Sequence, residues 1–484
     1  MQTSKQETKW HWSYQTVLLF VVCFLSSIAI SFLNALPGQL LSQDGFLRRI
    51  APKVYQKKIH SDTDSYCTFV SGPLLLVLAS APICQLVSVV AVPWMITWMG
   101  RRKTLLGSLL TILVGMGSIV LFPTATSSVI LGFMAMNFGL GGITRVIPII
   151  KSELAPEKWP KLYDIGSSFG GPLCVLAIYL VTNHQKWGWK MICGGLSVFI
   201  LIIFVLAFFL TESPLYMLEK RNKYEAVNIL LTLDRKERVG EMLGKLEIIR
   251  QQLANRPSSV LLSPVSRPPL IVSVVSSTLA LFSAVNLLQS YGPFLFQSAN
   301  LSAESLYLPS LIISAIQIFF HLITWFGLRR YKRRNILVAA ILTKVVSEAM
   351  LGGVFSTISF LFVYFAQVRR VFVPGAFIVA ADAVLTTSGV WLDTTFPDES
   401  KDVGETFTIC LGLLQNLIIG SISMLVFCKL NKYIFYMYIF WDGLLYLFIS
   451  KYVPETTGIE ATKAWSSHSY WNKYVKPSDV FKFF

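Results

Sequence analysis

The chain has 484 residues, of which 54% are hydrophobic and only 14% are charged. A water-soluble protein of this length needs more charged surface, so a soluble enzyme or binding domain is excluded. The net charge of +16 does not indicate a nucleic-acid-binding protein, because the basic residues are concentrated in short segments between long apolar runs.

The apolar runs predict helices that cross a membrane. Residues 196–210, for example, read LSVFILIIFVLAFFL, and backbone amides inside lipid must pair within their own segment. A β-barrel would show alternation over segments of about 10 residues instead. Twelve spans are predicted, at 17–36, 68–93, 104–122, 128–150, 163–182, 190–210, 270–297, 306–328, 335–357, 371–392, 404–427 and 431–451.

These spans form two sets of six on either side of a basic, polar segment. Apolar residues recur at helical spacing within this segment, at Ala226, Ile229, Leu230 and Leu233, which predicts short amphipathic helices on the membrane surface. We therefore expect a cytoplasmic N-terminal segment (1–16), an N-terminal half (17–210), a cytoplasmic bridge (211–269), a C-terminal half (270–452) and a cytoplasmic tail (453–484).

Orientation follows from the positive charges. The basic segments 99–103 and 329–334 and the bridge fall on one face, which should be cytoplasmic, together with both termini. The basic residues of the first outer loop, 37–67, argue against this orientation. Asn300 begins an N-linked glycosylation sequon on the predicted outer face, although an unused sequon close to the membrane is an equal alternative. The sequon favours the secretory route, and we expect the plasma membrane.

Six short motifs in the expected order resemble the sugar porter branch of the major facilitator superfamily. Each is weak alone, but each stands at the matching end of the matching span, and together they cover nearly the whole chain. The motifs are Gly100-Arg101-Arg102, repeated as Lys332-Arg333-Arg334; PIIKSELAP (148–156); TESPLYML followed by KRNKYEAVNIL; Ser283, Asn286, Tyr291 and Pro293 in the seventh span; and VPETTG (453–458). The resemblance implies an all-α major facilitator fold with 12 transmembrane helices that works by alternating access.

The same resemblance implies a cytoplasmic gate in which arginines and acids at the ends of the two halves pair across their interface. The residues at those positions are Arg101, Arg102, Glu153 and Glu212 in the first half, and Arg333 and Glu455 in the second. Thr97 and Arg329 replace the acid that opens each repeat motif, so a thinner charge network is expected. The alternative is that these residues are ordinary orientation charges at the lipid headgroups.

A substrate site is expected near the midplane, between the halves. By position in the family, its residues would be Asn286, Tyr291, Gln317 and Asn416, with Ser168 in place of a glutamine and Trp391 near the place of a tryptophan. Ala280 and Leu281 replace two further glutamines. Because sugars need many hydrogen-bonding partners, this loss makes high-affinity glucose transport doubtful.

Charged residues inside the spans are functional candidates, because an ion in lipid is costly. Asp382, in the tenth span, could bind a proton or a cationic group, or pair with a neighbouring helix. Lys344 and Glu348 are one turn apart and are expected to pair. Arg145 is expected to reach towards the inner surface, with the central cavity as the alternative.

The resulting prediction is a transporter of a hexose, a polyol or a similar small polar solute, either passive or proton-linked. An organic-ion transporter and a transporter-like sensor remain as alternatives. The sequence shows no nucleophile–base pair, metal cluster or phosphate loop, so we expect neither enzymatic activity nor a cofactor. The expected partners are a small-molecule substrate and the lipid bilayer, and not nucleic acid.

Overall fold

A computed structural model gives the architecture. It describes residues 13–40, 43–60, 72–122, 126–154, 160–181, 188–233, 239–250 (except 241, 245 and 249), 260–281, 307–327, 332–357, 376–384, 396, 400–430, 433–455 and 461–473. Within this part of the chain, every regular element is a helix.

The first half contains α1 (Tyr14–Leu40), α2 (Asp44–Ile50), α3 (Pro52–His60), α4 (Gly72–Met99), α5 (Arg101–Leu121), α6 (Thr126–Leu154), α7 (Pro160–Val181) and α8 (Gly188–Phe208). The bridge contains α9 (Pro214–Glu219), α10 (Lys223–Leu233) and a 3-10 turn, Val260–Leu262. The second half contains α11 (Arg267–Leu281), α12 (Tyr307–Gly327), α13 (Arg333–Thr357), α14 (376–384), α15 (Lys401–Leu430) and α16 (Tyr433–Tyr452). The tail contains α17 (Ala461–Ser467) and a 3-10 turn, Trp471–Lys473.

Each of the twelve predicted spans coincides with one of these helices in at least part of its length. Among the described residues, six helices are long and apolar enough to cross a bilayer: α1, residues 76–99 of α4, α5, α6, α8 and α16. The two short helices α2 and α3 lie in the segment predicted to be the first outer loop. They are polar at many positions, so the apolar pattern that reveals a span does not reveal them.

Close helix packing in the first half depends on small residues. A Cβ atom on Gly115 of α5 would lie 2.6 Å from the backbone oxygen of Gly132 in α6. A Cβ atom on Gly170 of α7 would lie 2.2 Å from the backbone oxygen of Ile28 in α1. Membrane helices lack a hydrophobic driving force towards one another, so close backbone approach of this kind supplies much of their attraction.

Two pairs of helices form contacts between the halves. Helix α4 packs against α15, and α7 packs against α12. The outer face of α4 exposes Val90, Trp94 and Trp98, which are four positions apart and therefore lie on one side of the helix. This apolar stripe is suited to contact lipid, with the tryptophans near its boundary with water.

Three hydrogen bonds connect α11 and its preceding residue, Ser266, with α15 and its preceding residue, Ser400. We call them the hydroxyl ladder. The Ser266 hydroxyl donates to Ser400 Oγ at 2.8 Å. The Ser273 and Thr408 hydroxyl oxygens lie 3.0 Å apart. The Gln415 amide donates to Thr278 Oγ1 at 2.9 Å. Such bonds fix the register of two helices that otherwise present apolar surfaces to each other.

The tail folds back onto the second half. Trp465 and Trp471 are buried in a cluster with residues of α11, α13 and α16, including Val272 and Leu337. The Trp471 indole donates to the backbone oxygen of Tyr452, at the end of α16, at 2.8 Å. The indole therefore satisfies one of the carbonyls that a helix end leaves without an internal partner.

Candidate functional site

A buried arginine organises one end of the first half. The Arg101 guanidinium, at the start of α5, lies 2.9 Å from a carboxylate oxygen of Glu153 and 3.0 Å from one of Glu219. Ser213 donates a hydrogen bond to the same Glu153 carboxylate. These contacts join α5, the end of α6 and the bridge helix α9. Bidentate pairing of this type is strong and geometrically specific.

The first turn of α5 is capped by a side chain distant in sequence. The Glu212 carboxylate accepts the backbone N–H groups of Arg101 at 2.9 Å and of Arg102 at 3.1 Å. Gly100 precedes the helix with φ of 95°, and a Cβ atom there would lie 2.7 Å from Glu212 Oε2. A negative charge at a helix N-terminus is favourable, and Gly100 leaves the space that the carboxylate needs.

The second half repeats this arrangement. Glu455 accepts the backbone N–H of Arg334, at the start of α13, at 3.3 Å. The Arg334 guanidinium donates to the backbone oxygen of Ser450 near the end of α16, just as that of Arg102 donates to Phe208 near the end of α8. The two halves are therefore related by an internal structural repeat at this end.

The structure thus brings Arg101, Arg102, Glu153 and Glu212 together at one end of the first half, and their role in a gate between the halves stays a prediction. Glu219 belongs to the same cluster, although the sequence did not single it out. The contacts above stay within one half. The backbone of Arg333 begins α13, but its side chain lies outside the described residues.

An ion pair between the halves is formed by residues that the family motifs do not include. Arg145 Nη1 in α6 lies 3.6 Å from Glu405 Oε2 in α15, and the two side chains are 3% and 20% exposed. Each of the two residues lies towards the end of its helix that is on the same side of the fold as Arg101 and Arg334. Arg145 is therefore buried at the interface between the halves, and its predicted reach towards the inner surface stays a prediction.

The predicted substrate residues are described only in part. Ser168 is buried in α7, Gln317 is half-buried in α12, Asn416 is exposed on α15 and Asp382 is half-buried in α14. Asn286, Tyr291, Trp391 and the sequon residue Asn300 lie outside the described residues. The four described side chains come from four helices, one in the first half and three in the second.

A cluster of three amides is the polar feature that the sequence did not predict. The Gln85 amide of α4 donates to Asn34 Oδ1 of α1 at 3.1 Å and to Asn137 Oδ1 of α6 at 3.2 Å. Gln85 and Asn137 are buried, whereas Asn34 is exposed. Isolated amides inside apolar runs were the available signal, since burying them in a bilayer requires partners.

A second polar feature lies inside the second half. The Lys344 ammonium of α13 is 3.2 Å from Asp442 Oδ2 of α16, and both residues are buried. The sequence paired Lys344 with Glu348, one turn away. The structure adds Asp442, which is 98 positions distant and could not be linked to Lys344 by helical spacing.

Two structurally repeated halves of membrane-spanning helices, in contact through a charged pair at one end, define a multi-pass transport protein. A family model described as "Sugar (and other) transporter" matches residues 12–464, and the chain belongs to this family. It is therefore a solute transporter that works by alternating access, and not an enzyme.

Relatives and solved structures agree with this assignment. Sugar transport protein 12 of Arabidopsis thaliana is 25% identical over 479 residues, covering 94% of this chain and 92% of that protein. Sugar transport protein MST7 of Oryza sativa subsp. japonica is 24% identical over 490 residues, covering 95% and 94%. The xylose transporter XylE from E. coli, in a partially occluded inward-open conformation, has a TM-score of 0.73 at 17% identity, covering 92% of this chain and 99% of that one. The predicted sugar porter membership and all-α major facilitator fold are confirmed.

Proposed function

We propose that this transporter carries a hexose, a polyol or a similar small polar solute. The observation that carries the proposal is the amide cluster of Asn34, Gln85 and Asn137. Each amide has both donors and an acceptor, which suits the hydroxyl groups of a sugar. Asn34 is exposed and is held in place from behind by the buried Gln85. In this proposal, the amide cluster takes over part of the role of the two glutamines that Ala280 and Leu281 replace.

The halves 17–210 and 270–452 are the bodies that move in this proposal, with 211–269 as the cytoplasmic bridge. The segments 1–16 and 453–484 would also be cytoplasmic, in the plasma membrane, and Asn300 would be glycosylated outside the cell. The Arg145–Glu405 pair closes the cytoplasmic end and must break for solute to leave. The membrane lipids, and not nucleic acid, account for the apolar exterior and the basic segments.

The gate predicted from sequence has a more specific role in this proposal. The cluster of Arg101, Arg102, Glu153 and Glu212 in one half, and the contact of Arg334 with Glu455 in the other, keep each cytoplasmic end rigid. A rigid end allows the Arg145–Glu405 pair to govern opening, because interfaces between packed bodies change between discrete arrangements.

Uptake by purified protein in proteoliposomes tests the substrate class. Labelled glucose, xylose and myo-inositol are compared with an organic cation and an organic anion. We expect transport of at least one neutral solute, and a reduction of about 10-fold or more in Gln85→Leu, because a lost hydrogen bond in such a site costs about 1–3 kcal/mol. Asn335→Leu, at an exposed amide of α13, is the matched control and should retain transport.

Two results would contradict the proposal. Transport of the organic ions alone would favour the organic-ion alternative, which the carboxylate of Asp382 supports. Binding of a sugar without uptake of any solute would indicate a sensor. In either case Gln85→Leu must elute as a monodisperse protein on size-exclusion chromatography, so that misfolding is not mistaken for a lost substrate contact.

A further inference from the structure

Four ionisable side chains from three helices meet inside the second half, and we call them the charged cluster. Lys344 and Glu348 come from α13, Asp382 from α14 and Asp442 from α16. The Lys344 ammonium lies 3.2 and 3.4 Å from the two carboxylate oxygens of Asp442. The charges of Glu348 and Asp382 act on the same ammonium. One lysine is therefore surrounded by three carboxyl groups.

The cluster lies deep within the membrane-spanning part of the fold. Lys344 is about 16 Å along α13 from its first residue, close to the middle of a bilayer core. Lys344, Glu348 and Asp442 are 1%, 0% and 0% exposed. Charges at this depth are costly unless they are neutralised, so the number of protons on the cluster is constrained.

The contacts fix most of that number. Glu348 forms a hydrogen bond with the Asp442 carboxyl group, and two carboxyl groups bond in this way only when one proton lies between them. The protonated Lys344 then balances the single negative charge of this pair. The net charge depends on Asp382: it is −1 when Asp382 is ionised and zero when one proton joins its carboxylate oxygen.

Asp382 is also the member of the cluster that can exchange with its surroundings, because its side chain is half-buried whereas the other three are buried. The other ionisable groups that face the cluster from its packed helices are limited. Tyr438 of α16 is close to Glu348. Arg267 of α11 is exposed and donates to a backbone oxygen at the helix base, and Glu405 of α15 faces Arg145.

We infer that the charged cluster is a proton-binding site and that Asp382 takes up and releases one proton in each transport cycle. A proton suits the cluster better than a metal ion, because the described residues include no group of three acidic, histidine or cysteine side chains arranged to hold a metal. The coupling to transport rests on the proposed function, whereas the binding of the proton does not.

Infrared difference spectroscopy tests proton binding without any solute. Spectra of the purified full-length protein in lipid nanodiscs are recorded between about pH 5 and about pH 8, in the carbonyl-stretch region of protonated carboxyl groups. We expect the wild type to lose one carboxyl band as the pH rises and Asp382→Asn to lack that change. Glu225→Gln, at an exposed acid of the bridge, should resemble the wild type in this region. The same band in Asp382→Asn and in the wild type would overturn the inference.

Transport tests the coupling. Proteoliposomes loaded with a pH-sensitive dye are supplied with labelled glucose or xylose under an imposed pH gradient. We expect a one-proton dependence, about 10-fold per pH unit on the limiting side of the titration, in the wild type and in Asp382→Glu. Asp382→Asn should exchange solute across the membrane without moving protons. An unchanged pH profile in Asp382→Asn would overturn the coupling. Failure of every protein to move any sugar would defeat the proposed function instead, and the infrared result would still decide whether the cluster binds a proton.

Discussion

Breaking the ion pair between the halves should shift the equilibrium between closed and open cytoplasmic ends. Arg145→Gln and Glu405→Gln each remove one partner of a contact at 3.6 Å. The exchange of both residues, Arg145→Glu with Glu405→Arg, keeps the attraction but inverts its direction. We expect each single variant to favour the open end and the double variant to restore the closed one.

The magnitude follows from the distance and the burial. At 3.6 Å, two unit charges attract by about 5 kcal/mol with an effective dielectric constant of about 20, and by about 1 kcal/mol in bulk water. Arg145 is buried and Glu405 is partly exposed, so screening reduces the upper value. A net effect of about 2 kcal/mol corresponds to a change of about 30-fold in the ratio of closed to open states.

Distances between spin labels measure this ratio. Labels at Ser152→Cys on α6 and Val403→Cys on α15 occupy exposed positions near the pair, in a protein whose native cysteines have been replaced. The single variants should move population from the short to the long distance. Lys103→Gln, an exposed basic residue near the same end of α5, should not. Wild-type distances in both single variants, or a double variant as open as either single one, would refute the role of this pair.

Three further predictions concern stability. Gly100→Ala should lower the free energy of unfolding by about 2–4 kcal/mol, because the alanine takes on a positive φ and displaces the carboxylate that caps α5. Thermal unfolding measures this effect. The control Gly107→Ala, whose Cβ would meet nothing within 4 Å, should be neutral or stabilising. Trp471→Ala should weaken the docking of the tail on the second half by about 3–5 kcal/mol. Limited proteolysis should then cleave the tail faster than in the wild type, and wild-type resistance to cleavage would contradict the prediction. Burial, followed by the charge of Arg334, lowers the pKa of His468. The released tail therefore binds more protons than the docked one, so docking should weaken as the pH falls below about 6.5, and His468→Gln should remove that dependence.

The sequence predicted the helices well because their signal is local. An apolar run long enough to cross a bilayer leaves its backbone no alternative to a helix, so all twelve predicted spans coincide with described helices. The capping of α5 was accessible through motif positions, since Gly100 and Glu212 both stand in short patterns. The ends of the helices were less accurate: α4 continues to Met99, beyond the predicted end at residue 93, until the backbone turns at Gly100.

Contacts between distant residues could not be predicted in the same way. Lys344 and Asp442 belong to helices that lie side by side in the second half, and Arg145 and Glu405 belong to different halves. No periodicity within one helix identifies such partners, because pairing depends on how helices are arranged and rotated. Part of the predicted substrate site, including Asn286 and Tyr291, lies outside the described residues, and its role stays a prediction.

The hydroxyl ladder between α11 and α15 has a consequence for motion. Its three bonds, at 2.8, 3.0 and 2.9 Å, are short enough that sliding one helix by a single residue, about 1.5 Å, would stretch all of them past useful length together. Such a connection does not yield gradually. The two helices must therefore move together as a rigid unit until all three bonds are lost. Because α15 also packs against α4 of the first half, a displacement of α11 at Ser266 is transmitted to the first half.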